Sequence, residues 1–279
     1  MGVNTAQLEP VGATLDPAET RSDRSAPRHA RHEPPLLEPR PGGPAERFAA
    51  AVGYGHPVRV FLAAAVGGYV LLVAFMTALG FLLTKVLLEM GGFAAWDEHI
   101  SKWLADHRTP LLVDLSWVGS TVAGGVVIPV LVGGLLLLFC LHRRWRLAAF
   151  TLFVICIESG GYRATSLIVH RDRPDVHRLE TLPVNASYPS GHTAASLALY
   201  GGLLFVLSSR IESLRLRVLV WALALAMPVF VGWSRMERGM HHLTDSIAGV
   251  ILGTCAILIT IFAARAAGAA AAQRESADR

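Results

Sequence analysis

Three short stretches of this chain carry the residue types that handle a phosphate. Ser187-Tyr188-Pro189-Ser190-Gly191-His192-Thr193 reads as a turn that opens into an apolar helix near Ala194. Such a turn leaves backbone N–H groups unpaired at a helix start, where they and the helix dipole favour an anion. Ser190 adds a hydroxyl and His192 a proton. Arg171-Asp172-Arg173-Pro174 precedes the turn, and Ser234-Arg235, His241 and Asp245 follow it. His241 and Asp245 stand at i and i+4, which on a helix shares one face. A carboxylate so placed accepts the Nδ1–H of the imidazole and leaves Nε2 as a nucleophile. His242, three residues from Asp245, competes for that role, and a blander reading makes both histidines interfacial caps of a helix. Arg173 and Arg235 offer planar forks that match two phosphate oxygens at a time. With Ser190 and the Gly191 amide they suit the equatorial oxygens of a transferring phosphoryl group.

These groups need a frame, and the composition makes that frame a membrane. Hydrophobic residues make up 53% of the chain and charged ones 16%, with a mean hydropathy of +0.46, too apolar for an ordinary soluble domain. The net charge is only +4, and the arginines are scattered among apolar spans with no basic stripe, so nucleic acid is not an expected partner. Cys140, Cys156 and Cys255 all fall in apolar runs and read as small core residues without a disulfide framework.

The expected fold is all-α, a polytopic membrane helix bundle. Apolar segments at roughly 58–84, 111–141, 147–169, 194–209, 216–233 and 243–264 give about six transmembrane helices. Pro129 and Pro228 fall inside spans, where kinks are tolerated if neighbours satisfy the freed carbonyls. Phe93, Trp96, Ile100, Trp103 and Leu104 recur at helical spacing among charges, which suits an amphipathic helix lying in the interface. Residues 1–50, rich in Pro, Arg, Glu and Ala without periodicity, are expected as a disordered cytoplasmic tail. The membrane domain then covers 51–265, and 266–279 form a second cytoplasmic tail. No cleavable signal peptide is expected before the first span, and Ala6 stands where a myristoylation signal wants Ser or Thr.

Loop charge gives the orientation. Arg143, Arg144 and Arg146, then Arg210, Arg215 and Arg217, then Arg265 and Arg274 share one side if the spans alternate. That side is expected to be cytoplasmic, with both termini inside. Arg171, Arg173, Arg178, Arg235 and Arg238 then lie on the outer side, against the usual bias, and binding a phosphate is a reason for the exception. Two spans separate His192 from Arg235, so the three phosphate-type stretches return to one outer face, with the helices near Thr193 and Leu243 presenting their electropositive ends to it. Independent accidents have no reason to share a face.

Taken together, these stretches resemble the type 2 phosphatidic acid phosphatase superfamily, which also contains the vanadium haloperoxidases. Arg173-Pro174 looks like the end of the family's first block, Pro189-Ser190-Gly191-His192 matches the second, and Ser234-Arg235, His241 and Asp245 match the third in type and spacing. The resemblance covers the helical body from about residue 58 to 264. It implies that His241 is the nucleophile, that Asp245 orients it, and that His192 protonates the leaving alkoxide and then serves as base on the water that cleaves a phosphohistidine. Arg173, Arg235, Ser190 and Gly191 would hold the phosphate, with no metal and no cofactor.

One position departs from the pattern. Where the family has a Lys, seven residues before Arg173, this chain has Ser166. Arg163, one helical turn deeper on the same face, is long enough to reach the same phosphate. Alternatively Arg163 pairs with Glu158, an acid in the same span that itself wants a partner, and His170 and Arg171 are further compensators. The expected function is an integral membrane lipid phosphatase at the outer face. Its substrate partner in the phospholipid bilayer would be an isoprenoid pyrophosphate such as undecaprenyl pyrophosphate, phosphatidic acid or phosphatidylglycerol phosphate, and the residues do not separate these. The competing expectation is a catalytically idle relative that binds a lipid phosphate, suggested by Ser166. A transporter would need polar residues at mid-depth in several spans, where only Glu158 and Arg163 stand out.

Overall fold

Prolines and short polar side chains set the helix starts. Pro44, Pro57 and Pro110 each open a helix, a position where their missing N–H costs nothing. The Thr109 hydroxyl accepts the Leu112 N–H at 3.3 Å, and Ser213 does the same for Leu216. The computed structural model describes residues 34–181 and 186–278, and among them the regular structure is all helical. After a 3-10 turn at Pro35–Leu37 come α1 (Pro44–Ala51), α2 (Pro57–Leu82), α3 (Phe93–Asp106), α4 (Pro110–Val122) and α5 (Val127–Leu141). Then follow α6 (Trp145–Ile168), α7 (Gly191–Ser196), α8 (Gly202–Ser208), α9 (Leu214–Glu237) and α10 (Leu243–Ala277).

This is a multi-pass membrane protein. Five helices are long and apolar enough to cross a bilayer, with α7 and α8 counted as one span, Gly191–Ser208, joined by a π turn. A sixth is the pair α4 and α5, bent by 44° between Val122 and Val127. The expected single span over 111–141 is therefore broken, and the break falls at Gly124-Gly125 instead of Pro129. Val66, Val70 and Leu71 on α2 remain exposed, as lipid-facing side chains do. Cys140 and Cys156 are exposed too, not core residues as expected, while Cys255 is half-buried and all three are free thiols.

Helix α10 is the axis, with α2, α6, α7 and α1 packed around it. Its approach to α7 is set by two glycines four residues apart. A Cβ on Gly249 would sit 2.5 Å from the Ser190 carbonyl oxygen, and one on Gly253 would sit 2.7 Å from that of Ala194. Small residues at this spacing let backbones touch, and the contact fixes the Ser190 turn against α10.

Three expectations need correction. The stretch to residue 50 is not structureless over its described part. Leu37 and Ala49 are fully buried, Phe48 meets Phe262 edge-on with ring centres 5.5 Å apart, and Arg265 Nε donates to the Leu36 carbonyl at 2.8 Å. A Pro- and Arg-rich segment has too few apolar groups for a core of its own, yet Leu36, Leu37 and Phe48 suffice when α10 supplies the other wall. Residues 1–33 lie outside the described residues. Residues 266–277, expected as a tail, continue α10, and Ala266, Ala269 and Ala270 pack against α1. Finally, α3 does form, but its buried stripe is polar. Asp97 and Ser101 are fully buried while Trp96 and Trp103 are about half exposed.

The glycine contact yields a test. Gly249→Ala is expected to cost about 1–3 kcal/mol, because a carbonyl oxygen cannot yield as a side chain would. Gly134→Ala, whose Cβ meets nothing within 4 Å, serves as control, and thermal unfolding in detergent reads the difference.

Candidate active site

The turn before α10 and the start of α7 bring two imidazoles to one cavity. His241, in the turn between α9 and α10, and His192, at the second position of α7, both line a cavity of about 390 Å³ together with Arg173, Gly191 and Arg163. The Nδ1–H of His241 donates to the Ser187 carbonyl at 2.7 Å. A carbonyl only accepts, so this bond assigns the tautomer and leaves Nε2 with its lone pair. Burial depresses the His241 pKa well below the usual value, opposed by the nearby Asp245 carboxylate and assisted by Arg235 and Arg173. The ring is therefore neutral at pH 7.

The expected bond between Asp245 and His241 is not made, since Asp245 Oδ2 lies 3.9 Å from His241 Nδ1. The reason is where the helix begins. His242 is the N-cap of α10 and Asp245 its third residue, so the carboxylate turns back to accept the His242 N–H at 2.9 Å. His241 precedes the helix, and the i, i+4 relation loses its meaning there. Asp245 acts one step removed. It accepts the Ser187 hydroxyl, and Ser187 in turn presents its carbonyl to His241.

Arg171 is consumed in the same network. Arg171 Nη1 meets Asp245 Oδ1 and Thr244 Oγ1, and its Nη2 donates to Asp97 Oδ2 at 2.6 Å. Buried between two carboxylates, it does not stand in for the charge missing at Ser166. His242 is also occupied, with Nε2 3.0 Å from Glu98 Oε2 and Nδ1 3.3 Å from Asp245 Oδ2. It lines a separate hollow with Glu98 and Arg171.

Arg173 lines the cavity, is 6% exposed, and donates to the Met240 carbonyl. Arg235 is fully buried at the end of α9. Its Nη1 donates to Glu180 Oε2 at 2.6 Å and to Ser120, while Nε and Nη2 have no partner among the described residues. An unpaired edge on a buried guanidinium is costly, and it is the edge that two phosphate oxygens fit. The Gly191 position lines the cavity, but Ser190 does not, its hydroxyl being paired with Thr193 at 2.9 Å and its N–H given to the Asp245 carbonyl. Arg163 does line it, exposed on α6, as does Glu158. No ion pair joins those two among the described residues. Glu158 instead accepts the Ser159 hydroxyl at 2.8 Å, and Ser166 is turned back onto the Arg163 carbonyl.

Sequence reasoning missed Glu180. It bridges Arg235 and Arg238 and accepts from Ser120. The signal was there in Arg235 and Arg238, two arginines one turn apart at a helix end that need a counter-charge. The loop carrying Glu180 is stitched to α9 by Leu179 N–H to the Arg238 carbonyl at 3.1 Å and by Arg108, which donates to the carbonyls of Glu237 and His177 at 2.8 Å each. No group of three His, Cys, Asp or Glu side chains is arranged for a metal ion among the described residues.

Residues 144–268 match the PAP2 superfamily. An undecaprenyl-diphosphatase of Sulfolobus acidocaldarius is 31% identical over 128 residues, which cover 44% of this chain and 57% of that protein, so the match spans little more than half of the relative's length. The crystal structure of a transmembrane PAP2-type phosphatidylglycerolphosphate phosphatase from Bacillus subtilis shares the fold. Its TM-score is 0.56 at 22% identity, over 74% of this chain and 94% of that one.

Glu180 gives a pH test with a definite sign. Burial alone would raise its pKa, but the Arg235 charge and the hydrogen bonds from Arg235, Ser120 and Arg238 hold it at about 2, against an ordinary 4.5. Between those values the unfolded chain binds more protons than the folded one. The Glu180 contribution is thus complete above about pH 4.5 and is lost as pH falls toward 2. Glu180→Gln is expected to melt lower at pH 7 and to show a flatter melting temperature across that acid window.

Proposed function

We propose, from the match of residues 144–268 to the PAP2 superfamily, that this chain is an integral membrane phosphatase hydrolysing the phosphate monoester or pyrophosphate of a lipid. Isoprenoid pyrophosphates, phosphatidic acid and phosphatidylglycerol phosphate are the substrate classes in view. The observation that carries the reading is that His192 and His241 open on one cavity, with His241 held by the Ser187 carbonyl in the tautomer that frees Nε2.

In this mechanism His241 Nε2 attacks phosphorus while the lipid oxygen departs and takes its proton from His192. The attacking nitrogen is fixed before the substrate arrives, because ring and carbonyl are both buried. Arg173, the unpaired edge of Arg235 and the Gly191 amide stabilise the equatorial oxygens. Water then attacks the phosphohistidine, giving its proton to His192, and inorganic phosphate leaves with the imidazole restored. Asp245 supports His241 through Ser187, and Arg163 supplies the cationic contact that Ser166 lacks. No metal takes part.

The loop arginines support a cytoplasmic location for both termini and an outer location for the cavity. His241, between the end of α9 and the start of α10, and His192, at the start of α7, share their cavity with α6. Ala123, Gly124, Gly125, Ile128 and Pro129 at the α4–α5 bend give the cavity an apolar wall for the lipid tail. A lipid-phosphate-binding protein without turnover is the second reading, favoured by Ser166, whose hydroxyl is tied to its own helix and brings no charge.

Phosphate release from detergent-solubilised protein in chelator, offered short-chain phosphatidic acid and an isoprenoid pyrophosphate side by side, separates the two readings. Release from either supports the enzyme, and binding without release supports the second reading. His241→Ala is expected to lower turnover by roughly 10³-fold or more. Arg163→Ala is expected to lower it on the order of 10²-fold, and an unaffected rate would remove Arg163 from the phosphate site.

A further inference from the structure

The cavity continues beyond the histidines. Arg163, Tyr162, Ser159, Glu158 and Ile155 of α6 all line it, so a strip of that helix forms one wall from the catalytic end inward. At 1.5 Å of rise per residue, Glu158 lies about 7 Å deeper than Arg163. It is 1% exposed, within a helix long and apolar enough to span the bilayer, and its described bonds consist of the Ser159 hydroxyl. No cation pairs with it among the described residues. The facing wall is Ala123, Gly124, Gly125, Ile128 and Pro129.

A lipid that puts its phosphate between the histidines must lead its next atoms past this carboxyl. A polyprenyl diphosphate becomes pure hydrocarbon directly below its phosphates. Laid over Glu158, that chain would strip the carboxyl of water and return no hydrogen bond, a cost that falls on the complex. A glycerolipid carries oxygens at that depth, namely ester carbonyls that accept from a protonated carboxyl, or a free hydroxyl that donates to an ionised one. Sites built around a buried polar group reject ligands that leave it unpaired more strongly than apolar pockets reject a misfit.

We infer that Glu158 determines specificity by reading the glycerol oxygens below the phosphate, so that a glycerolipid phosphate monoester is preferred over a polyprenyl diphosphate. The inference rests on the phosphatase reading above. Arg163, closer to the phosphate, serves both substrate classes, whereas Glu158 separates them.

The test uses the full-length protein in detergent, with short-chain phosphatidic acid and farnesyl diphosphate assayed separately for wild type, Glu158→Gln and Glu158→Leu. Wild type is expected to favour phosphatidic acid in kcat/KM by roughly tenfold or more. Glu158→Leu should shift that ratio toward farnesyl diphosphate by about tenfold, chiefly through KM for phosphatidic acid, the scale of one lost hydrogen bond. Glu158→Gln, which still donates and accepts, should keep most of the wild-type ratio. A wild-type preference for farnesyl diphosphate, a ratio unmoved by Glu158→Leu, or an equal loss on both substrates overturns the role of Glu158 and leaves the phosphatase standing. Hydrolysis of neither substrate by wild type overturns the phosphatase reading, and the inference with it.

Discussion

The buried carboxylate of Asp245 ties together the segments that form the histidine end of the cavity. Its side chain caps α10 through the His242 N–H, accepts the Ser187 hydroxyl and pairs with Arg171, while its main-chain carbonyl takes the N–H of Ser190. Arg171 and the turn from Ser187 to Ser190, both more than fifty residues away, are thereby fixed to the first turn of one helix. A fully buried charge survives only when it is paired and hydrogen-bonded, and removing one partner of such a pair typically costs about 3–5 kcal/mol. Arg171 is shared with a second buried acid, Asp97, whose other partner is Thr244. Helix α3 is thereby locked to α10 through charge, and its tryptophans are left about half exposed.

This arrangement separates arginines fully engaged with carboxylates from one that keeps a free edge. Arg171 and Arg238 have carboxylate partners and hold the loop to the bundle. Arg235 is only partly engaged, with one nitrogen on Glu180 and two others without a partner among the described residues. Its anchored side sets the direction of the fork, and preorganisation of this kind is what charge stabilisation in a dry site requires.

How much of this could be read from residue order depended on range. The spans, the helical character of α3 and the convergence of His192, Arg173 and His241 on one cavity all follow from local pattern plus the parity of crossings. The bond expected between Asp245 and His241 failed at a boundary, because helical spacing was applied one residue before the helix begins. Asp97, Ser120 and Glu180 carried no motif at all, and their partners lie 55 to 147 positions away. The segment from 34 to 51 looked structureless for a related reason. Its few apolar groups find counterparts in Phe262, Ala266, Ala269 and Ala270, more than two hundred residues later.

Helix α10 has 35 residues, which makes it about 52 Å long at 1.5 Å per residue, while the hydrocarbon interior of a bilayer is about 30 Å thick. Roughly two-fifths of the rod must therefore stand in headgroups or water. At the Ala-rich end there is little side-chain bulk to shield its surface, and it is there that residues 35–51 wrap it as a collar. Trimming that collar would strip an alanine surface bare at one extremity of the rod, while the other extremity bears the carboxylate to which the histidine cavity is moored.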